Sequence, residues 1–348
     1  MYLHALATAL PTAQFTQAEC WEILQRSDAR HRLSRRSLLI LQAILRRESG
    51  VASRHFAISD PEKVFSLTPD ELNEAFRLEA PRLASRALSK AMDQAGVAAN
   101  EIEALLICTC TGYLCPGITS YVSEQLGLRP DVFLQDLVGL GCGAAIPVLR
   151  VADVLIKSQP SAIVACVAIE ICSAAFFLDD DPGVLVSATL FGDGAAATIW
   201  RGTPGPSGLR CSDFTTLHQP AHRDRIRFEM KEGKLRNLLH PSVPGLAAAA
   251  VKTLLDAENV RASRRPIARM IAHVGGRDVL DAIEESCGIC DLAASREILR
   301  RCGNMSSPSV LFVLEEALKG SRPDENGDWW LTSFGAGFSA HGCRIGLQ

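Results

Sequence analysis

Apolar runs of strand length alternate with helical periodicity along this chain. Two strand patterns, Ala104–Thr111 and Ala162–Glu170, end in small or polar residues. Between them, Cys142–Lys157 places apolar residues at the i, i+3, i+4, i+7 spacing of one helical face. Gly192–Trp200 then follows as a turn and a strand of small residues. This alternation predicts an α/β protein whose strands are buried on both faces.

The second half of the chain repeats this rhythm after a polar segment rich in Pro and Gly. Arg269–Gly275 has a strand pattern, Met305–Leu318 has a helical pattern, and Asp328–Gly337 mirrors a late strand of the first half. Residue identity between the halves is low, so the repeat is one of topology. We therefore predict two equivalent halves, residues 1–202 and 203–348.

Composition narrows the class of protein. The chain has 348 residues, a 47% hydrophobic fraction and a formal net charge of −3, which argue against disorder and against nucleic acid as a partner. Twelve cysteines in a chain of this length are too sparse for a disulfide scaffold, and several lie in apolar runs. No run reaches the length of a membrane span. We expect a soluble, cytoplasmic protein with reduced thiols.

Three residues are candidates for chemistry. Cys142 lies between two glycines at the start of a predicted helix, where free backbone N–H groups and the helix dipole stabilise a thiolate. His273 ends an apolar strand and is followed closely by two glycines, which give its ring clearance. Asn304 starts the equivalent helix of the second half, a place where Asn is also a common N-cap. Together they offer a nucleophile, a base and an amide donor, although each alone is also compatible with a structural role.

The sequence gives little support for a metal site or for a nucleotide-binding motif. Cys287 and Cys290 form a single Cys-x-x-Cys pair, and no second pair completes four ligands. Walker, dinucleotide-binding and HExxH motifs are absent from the sequence. We therefore expect no metal and no organic cofactor.

Six segments in this order resemble the type III polyketide synthases, a family whose plant members include chalcone synthase. The segments are CTCTGYLCPG, GLGCGAAIP, LFGDGAAA, AHVGG, GNMSSPSVLFVLEE and FGAGF. The resemblance covers nearly the whole chain, from about Arg54 to Gly346. It implies the thiolase fold, in which duplicated βαβαβαββ halves form a five-layered αβαβα core. It also implies a homodimer, with Cys115 near the interface and directed toward the partner's cavity.

The resemblance assigns Cys142, His273 and Asn304 as a catalytic triad. Cys142 would attack an acyl-CoA thioester and hold the acyl chain. His273 and Asn304 would then stabilise the enolate that malonyl-CoA forms on losing carbon dioxide. The substrates are CoA thioesters, and the reaction implied is iterative condensation.

Other positions follow from the same motifs. The residues implied to line the substrate pocket are Phe191, Cys110, Cys115, Cys172, Ala175, Ser306 and Phe334. The family's CoA-binding basic residues align poorly with this chain, and the basic residues that we expect in their place are Arg46, Arg47 and Arg54. A basic stretch that includes Arg46 and Arg47 is also typical of a solvated helix face. The chain departs from the family in Ser333-Phe334-Gly335-Ala336-Gly337, which replaces GFGPG, and in Asn237, which replaces a second gating phenylalanine.

The motifs GCGAAIP and EICSAAFFLDDDPG look closest to bacterial members that extend fatty acyl starters. The predicted product is an alkylresorcinol or alkylpyrone made from a long-chain fatty acyl-CoA and malonyl-CoA. One alternative is a chain-initiating ketoacyl synthase, which condenses once. A distant alternative is a papain-like cysteine hydrolase, which also orders Cys, His and Asn along its chain.

Overall fold

The structure is a computed structural model that describes residues 1–46, 49–58, 60–260, 265–288, 291–324 and 326–347. Its strands, in chain order, are β1 (Tyr2–Ala9), β2 (Ala13–Thr16), β3 (Ser53–Phe56), β4 (Ala104–Thr109), β5 (Phe133–Val138), β6 (Val164–Glu170), β7 (Gly194–Arg201), β8 (Leu209–His218), β9 (Ile226–Lys231), β10 (Lys234–Leu239), β11 (Ile267–Ala272), β12 (Asp328–Gly335) and β13 (Ser339–Leu347).

The described residues also form α-helices. In chain order they are α1 (Gln17–Arg26), α2 (Arg35–Arg46), α3 (Pro61–Val64), α4 (Pro69–Ala95), α5 (Ile118–Leu126), α6 (Ala145–Ser158), α7 (Pro182–Leu190), α8 (Val243–Asn259), α9 (Arg277–Cys287), α10 (Ala293–Cys302) and α11 (Ser309–Gly320).

Two equivalent sets of strands form the central sheet. In the first half the order is β1-β7-β6-β4-β5, with β1, β7 and β6 antiparallel in turn and β6, β4 and β5 parallel. In the second half the order is β8-β13-β12-β11, again with two antiparallel pairs followed by a parallel pair, but without a counterpart of β5. The halves join where β1 pairs with β8 at Tyr2 and Arg210. The predicted duplication is therefore confirmed at the level of strand order and direction.

The helices complete a layered structure. α6 contacts β4 and β6 of the first half and also β12 and β13 of the second. α11 contacts β1 and β7 together with β11 and β12, so both helices lie between the two sets of strands. α4 covers the outer face of the first set, and α8 packs on β8, β12 and β13 of the second. This arrangement confirms the predicted thiolase fold with helices outside and between the sheets.

The side chains of a strand pack into apolar clusters on both faces of the sheet. Along β4, Leu105 and Ile107 belong to the apolar cluster that contains α4, whereas Leu106 and Cys108 belong to the cluster that contains α6 and α11. Successive side chains of a strand point to opposite faces, so a continuous apolar run suits a strand buried on both sides. Among the described helices, none is long and apolar enough to cross a membrane.

The second central helix differs from the sequence-based prediction. The pattern placed its start at Met305, whereas α11 begins at Ser309. Residues 305–308 instead form a turn in which Ser306 has a φ of 59°, a left-handed conformation that is uncommon for a residue with a side chain. Pro308 stands directly before the helix, where its fixed φ is compatible with helix entry. Because of this turn, the residues that follow Asn304 lie beside the candidate active site described below.

Candidate active site

Cys142 lies on a tight turn between β5 and α6. The turn spans Gly141–Gly143, and Gly141 adopts a φ of 56°. The Cys142 residue is buried, with 6% of its surface exposed. The Ser333 hydroxyl donates a hydrogen bond of 3.0 Å to the carbonyl of Gly143. The Cys142 turn of the first half is thus held by β12 of the second.

The backbone of β12 approaches this turn closely at Gly335. A Cβ atom added there would lie 2.6 Å from the backbone nitrogen of Gly143 and 2.9 Å from that of Cys142. Such distances are far below ordinary contact, so only glycine fits. Ser333 and Gly335 together explain why the FGAGF motif lies near Cys142 even though it is almost 200 residues away in sequence.

His273 follows β11 and is only 1% exposed. Its backbone N–H donates to the carbonyl of Thr332 at 2.9 Å, and its ring lies edge-on to Phe334 with centroids 5.1 Å apart. Both ring nitrogens lack a hydrogen-bond partner among the described residues. Buried polar atoms are nearly always satisfied, so these nitrogens point to a group that binds there. Burial lowers the pKa of His273 to about 3.

Asn304 is held by both its backbone and its side chain. Its N–H donates to the carbonyl of Leu190 and its carbonyl accepts from Gly192, which joins it to the segment around Phe191. Its side-chain oxygen accepts a hydrogen bond of 2.7 Å from the N–H of Ser306. With that oxygen occupied, the amide NH₂ is the end left to donate, and the side chain lines the same cavity as Cys142.

Burial and hydrogen bonding have opposite effects on the pKa of the Cys142 thiol. Burial raises the pKa of its thiol to about 12, hydrogen bonds from Ser306 and Asn304 oppose that rise, and the charge of Glu170 adds to it. Burial therefore disfavours a lone thiolate here, and it equally disfavours a lone imidazolium at His273. A proton moving from Cys142 to His273 would create both charges together, so that each stabilises the other.

One cavity brings the three predicted residues together. Cys142, His273 and Asn304 all line a cavity of about 400 Å³, and Phe191 and Phe334 line it as well. Phe191 also forms one apolar cluster with Cys142 and Cys172. The fold thus brings Cys142 and His273, which lie 131 residues apart in the sequence, to the same cavity.

The other predicted pocket residues border two further spaces. Cys172, Ala175, Ser306 and Phe191 line a small cavity of about 20 Å³. Cys110 lines a larger one of about 590 Å³ and also lies 3.2 Å from the Ser306 hydroxyl. Cys115 is exposed on the loop after β4.

The candidates for binding CoA have different positions. Arg54 is 2% exposed, and its guanidinium donates to the side chain of Gln17 and to the carbonyls of Ala188 and Phe191. These bonds engage the guanidinium inside the protein, so the prediction that Arg54 binds CoA is wrong. Arg46 is exposed at the end of α2, and Arg47 lies outside the described residues.

Sequence reasoning missed several residues of this region. Arg277 and His240 line the 400 Å³ cavity. A basic residue directly after the AHVGG motif was the signal for Arg277. Leu239 also lines this cavity and packs against the Cys142 cluster. Asn237, the replaced gate position, lies in the 20 Å³ cavity instead.

Glu170 was also missed as a site residue. It is fully buried at the end of β6, and one of its oxygens accepts from the hydroxyl and N–H of Thr111, while the other accepts 2.6 and 3.3 Å hydrogen bonds from Ser307 and the Cys110 thiol. Burial raises the pKa of this carboxyl group. An acidic residue at the end of an apolar strand was its signal in the sequence. Its bonds join the loop after β4 to the turn after Asn304.

A buried cysteine, a histidine and an amide on one cavity of a thiolase fold define an acyl-transferring condensing enzyme. Family models for the N-terminal and C-terminal domains of chalcone and stilbene synthases match residues 2–204 and 215–345. The chain belongs to this family, the type III polyketide synthases. This membership overturns the papain-like alternative.

Two bacterial proteins and one solved bacterial structure illustrate what this chain is similar to. The chain is 31% identical over 357 residues to 1,3,6,8-tetrahydroxynaphthalene synthase of Streptomyces peucetius subsp. caesius, covering 97% of this chain and 90% of that protein. It is 28% identical over 336 residues to 3,5-dihydroxyphenylacetyl-CoA synthase of Streptomyces toyocaensis, covering 92% and 84%. The crystal structure of 1,3,6,8-tetrahydroxynaphthalene synthase from Streptomyces coelicolor A3(2) matches with a TM-score of 0.90 and 25% identity, over 100% of this chain and 99% of that one.

Proposed function

We propose that this type III polyketide synthase extends a long-chain fatty acyl group, taken from CoA, with two or three malonyl-CoA units. Ring closure then releases an alkylresorcinol or an alkylpyrone. The observation that carries the proposal is the 590 Å³ cavity beside the turn that holds Cys142. Gly141 and Cys110 border this cavity. Leu72, Phe76 and Phe228 contribute to its walls, and apolar walls favour an apolar chain.

The first half of the proposed mechanism loads the enzyme. Cys142 gives its proton to His273, and its sulfur attacks the carbonyl carbon of the acyl-CoA thioester. The bond from that carbon to the CoA sulfur breaks, and the CoA thiolate takes the proton from His273. The acyl group is then held as a thioester on Cys142.

The second half extends the chain. The carboxylate of malonyl-CoA leaves as carbon dioxide, and the bonding electrons form an enolate whose oxygen accepts hydrogen bonds from His273 and the Asn304 amide. The enolate carbon attacks the acyl carbonyl carbon, and the Cys142 sulfur leaves as thiolate. The lengthened chain, now on CoA, reloads onto Cys142. These steps require no metal and no organic cofactor.

The test is a starter series with radiolabelled malonyl-CoA and the purified protein. We expect fatty acyl-CoA starters to yield cyclised products that carry the starter's alkyl chain. Products from malonyl-CoA alone, or from aromatic starters alone, would contradict the fatty acyl proposal. A single condensation without reloading would favour the ketoacyl synthase alternative.

We also propose that two copies of the chain form a dimer through the edge of the sheet at β5. Three apolar side chains of this strand are exposed: Phe133, Leu134 and Val138. Tyr113, in the loop after β4, is 72% exposed. An exposed, apolar edge strand favours pairing with another chain. Val138 and Tyr113 also border the 590 Å³ cavity, so a partner seated here would cover its mouth. Sedimentation velocity is expected to give the mass of a dimer, and a stable monomer would contradict this proposal.

A further inference from the structure

Helix α7 ends at the wall of the 400 Å³ cavity that Cys142 lines. Thr189, Leu190 and Phe191 all border this cavity, and Thr189 and Phe191 are buried. The carbonyls in the last turn of a helix have no partner within the helix. Buried carbonyls need hydrogen bonds, so the end of α7 depends on donors from other parts of the chain.

Arg54 and Gln17 supply three of these hydrogen bonds. The Nη1 atom of Arg54 donates to the carbonyls of Ala188 and Phe191 at 2.7 and 2.9 Å. Its Nε atom donates to the side-chain oxygen of Gln17 at 3.1 Å, and the Nε2 atom of Gln17 donates to the carbonyl of Thr189 at 2.9 Å. Arg54 and Gln17 are only 2% and 5% exposed, so these bonds are shielded from water.

The backbone of Asn304 binds the remaining carbonyl. Its N–H donates to the carbonyl of Leu190 at 2.9 Å, and its own carbonyl accepts from the N–H of Gly192 at 3.0 Å. The carbonyls of residues 188–191 are therefore all bound from outside α7. Through the end of α7, these bonds connect Arg54 to the backbone of Asn304, which also lines the cavity.

The stem of Arg54 also packs against the residue before Asn304. A Cβ atom added at Gly303 would lie 2.9 Å from the Cγ atom of Arg54 and 2.5 Å from the carbonyl oxygen of Leu190. Gly303 has a φ of 68°, which a residue with a side chain rarely adopts. Arg54 therefore contacts two segments of backbone, the end of α7 and the residue that leads into Asn304.

The charge and the shape of Arg54 both suit this position. The C-terminal end of a helix carries a partial negative charge, which stabilises a cation placed there. A guanidinium is planar and donates in several directions with fixed geometry, whereas the ammonium group of lysine is a compact point charge. The bonds of Arg54 to Gln17 and to the two carbonyls therefore depend on an arginine and not on a positive charge alone.

We propose that Arg54 is a positioning residue for the decarboxylation of malonyl-CoA. It fixes the end of α7 and, through it, the places of Phe191 and the Asn304 amide beside the substrate. It does not touch the substrate itself, because its guanidinium is buried among the backbone carbonyls that it binds. The inference rests on the role of Asn304 in the proposed function, and it applies to any starter.

The test compares two steps of the reaction in Arg54→Lys. Release of labelled carbon dioxide from malonyl-CoA is expected to fall by about 10- to 100-fold, because a displaced Asn304 amide donates a weaker hydrogen bond to the enolate oxygen. Loading of Cys142 by an acyl-CoA, measured by mass spectrometry of the intact protein, is expected to stay close to the wild-type rate. The reason is that Ser333 on β12 holds the Cys142 turn.

Two further variants distinguish positioning from a general structural role. If Arg54 acts through Asn304, Arg54→Lys lowers decarboxylation far less in a protein that already carries Asn304→Ala. Gln17→Ala removes one donor to the end of α7, and it is expected to lower decarboxylation relative to loading by a smaller factor. Gln17→Ala also tests the proposal if Arg54→Lys does not fold, which thermal unfolding of each variant reveals.

Arg344→Lys is the matched control. Arg344 is 3% exposed and forms ion pairs with Glu258 and Asp328, but it is not among the described residues that line the 400 Å³ cavity. This substitution is expected to lower the temperature of unfolding and to leave the ratio of decarboxylation to loading at the wild-type value. The proposal is overturned if Arg54→Lys and Gln17→Ala keep that ratio as well.

A separate measurement distinguishes this inference from the proposed function. If Asn304→Ala decarboxylates malonyl-CoA as fast as the wild-type protein, the proposed role of Asn304 fails. Hydrogen exchange at the N–H groups of Gly192 and Asn304 then decides whether Arg54 positions this segment, because both groups donate within it. Faster exchange in Arg54→Lys than in Arg344→Lys supports the positioning, and equal exchange overturns it.

Discussion

Replacing Cys142 by Ala is expected to abolish acyl loading and to reduce product formation on the order of 10³-fold or more. The reason is that the sulfur is the atom that holds the growing chain, and the described residues that line its cavity include His273 and Asn304 but no second cysteine. Mass spectrometry of the intact protein after incubation with acyl-CoA detects the loaded acyl group. Radiolabelled malonyl-CoA measures the product.

Cys287→Ala is the control for this experiment. Cys287 lies at the end of α9, outside the cavity that contains Cys142, and it is expected to load and turn over as the wild-type protein does. Stability is expected to change little in Cys142→Ala, because the substitution removes a single sulfur atom beside an existing cavity. If Cys142→Ala still condensed malonyl-CoA with a starter, the assigned nucleophile would be wrong.

Replacing Asn304 by Ala is expected to slow decarboxylation of malonyl-CoA by about 10²- to 10³-fold while Cys142 still takes up an acyl group. The Asn304 oxygen is held by the N–H of Ser306, which leaves the NH₂ group to donate to the enolate oxygen. Removing one such donor affects the step in which negative charge develops on oxygen. Loading is expected to depend instead on Cys142 and His273.

Two separate measurements distinguish this role from a structural one. Release of labelled carbon dioxide from malonyl-CoA reports decarboxylation, and the mass of the acylated protein reports loading. Asn259→Ala, on the exposed end of α8, serves as a matched change of the same residue type. An equal loss of both steps in Asn304→Ala would indicate a disturbed turn, and unchanged decarboxylation would remove Asn304 from the mechanism.

The order of motifs predicted the fold well because the signal for each element is local. Continuous apolar runs identified β4 and β6, and helical periodicity identified α6. The duplicated rhythm of the two halves corresponds to equivalent strand orders and directions. Local periodicity reports burial on one or two faces, and that is enough to distinguish a buried strand from an amphipathic helix.

Arg54 illustrates where this approach fails. Its sequence environment gives only a positive charge near the start of the family resemblance. The carbonyls of Ala188 and Phe191, which accept its hydrogen bonds, are more than 130 residues away in sequence. Whether an arginine faces solvent or backbone depends on contacts that long-range packing creates.

The amino-acid sequence alone predicts the two halves and the three candidate residues from local patterns and residue type, and its resemblance to the type III polyketide synthases implies the class of enzyme. Only the tertiary structure distinguishes Phe176 from Phe177, two adjacent residues of one type. Phe176 borders the 20 Å³ cavity that Cys172 and Phe191 also line, whereas Phe177 lies beside Lys231. The direction of each ring is set by helices and strands from distant parts of the chain, and no local pattern reports it.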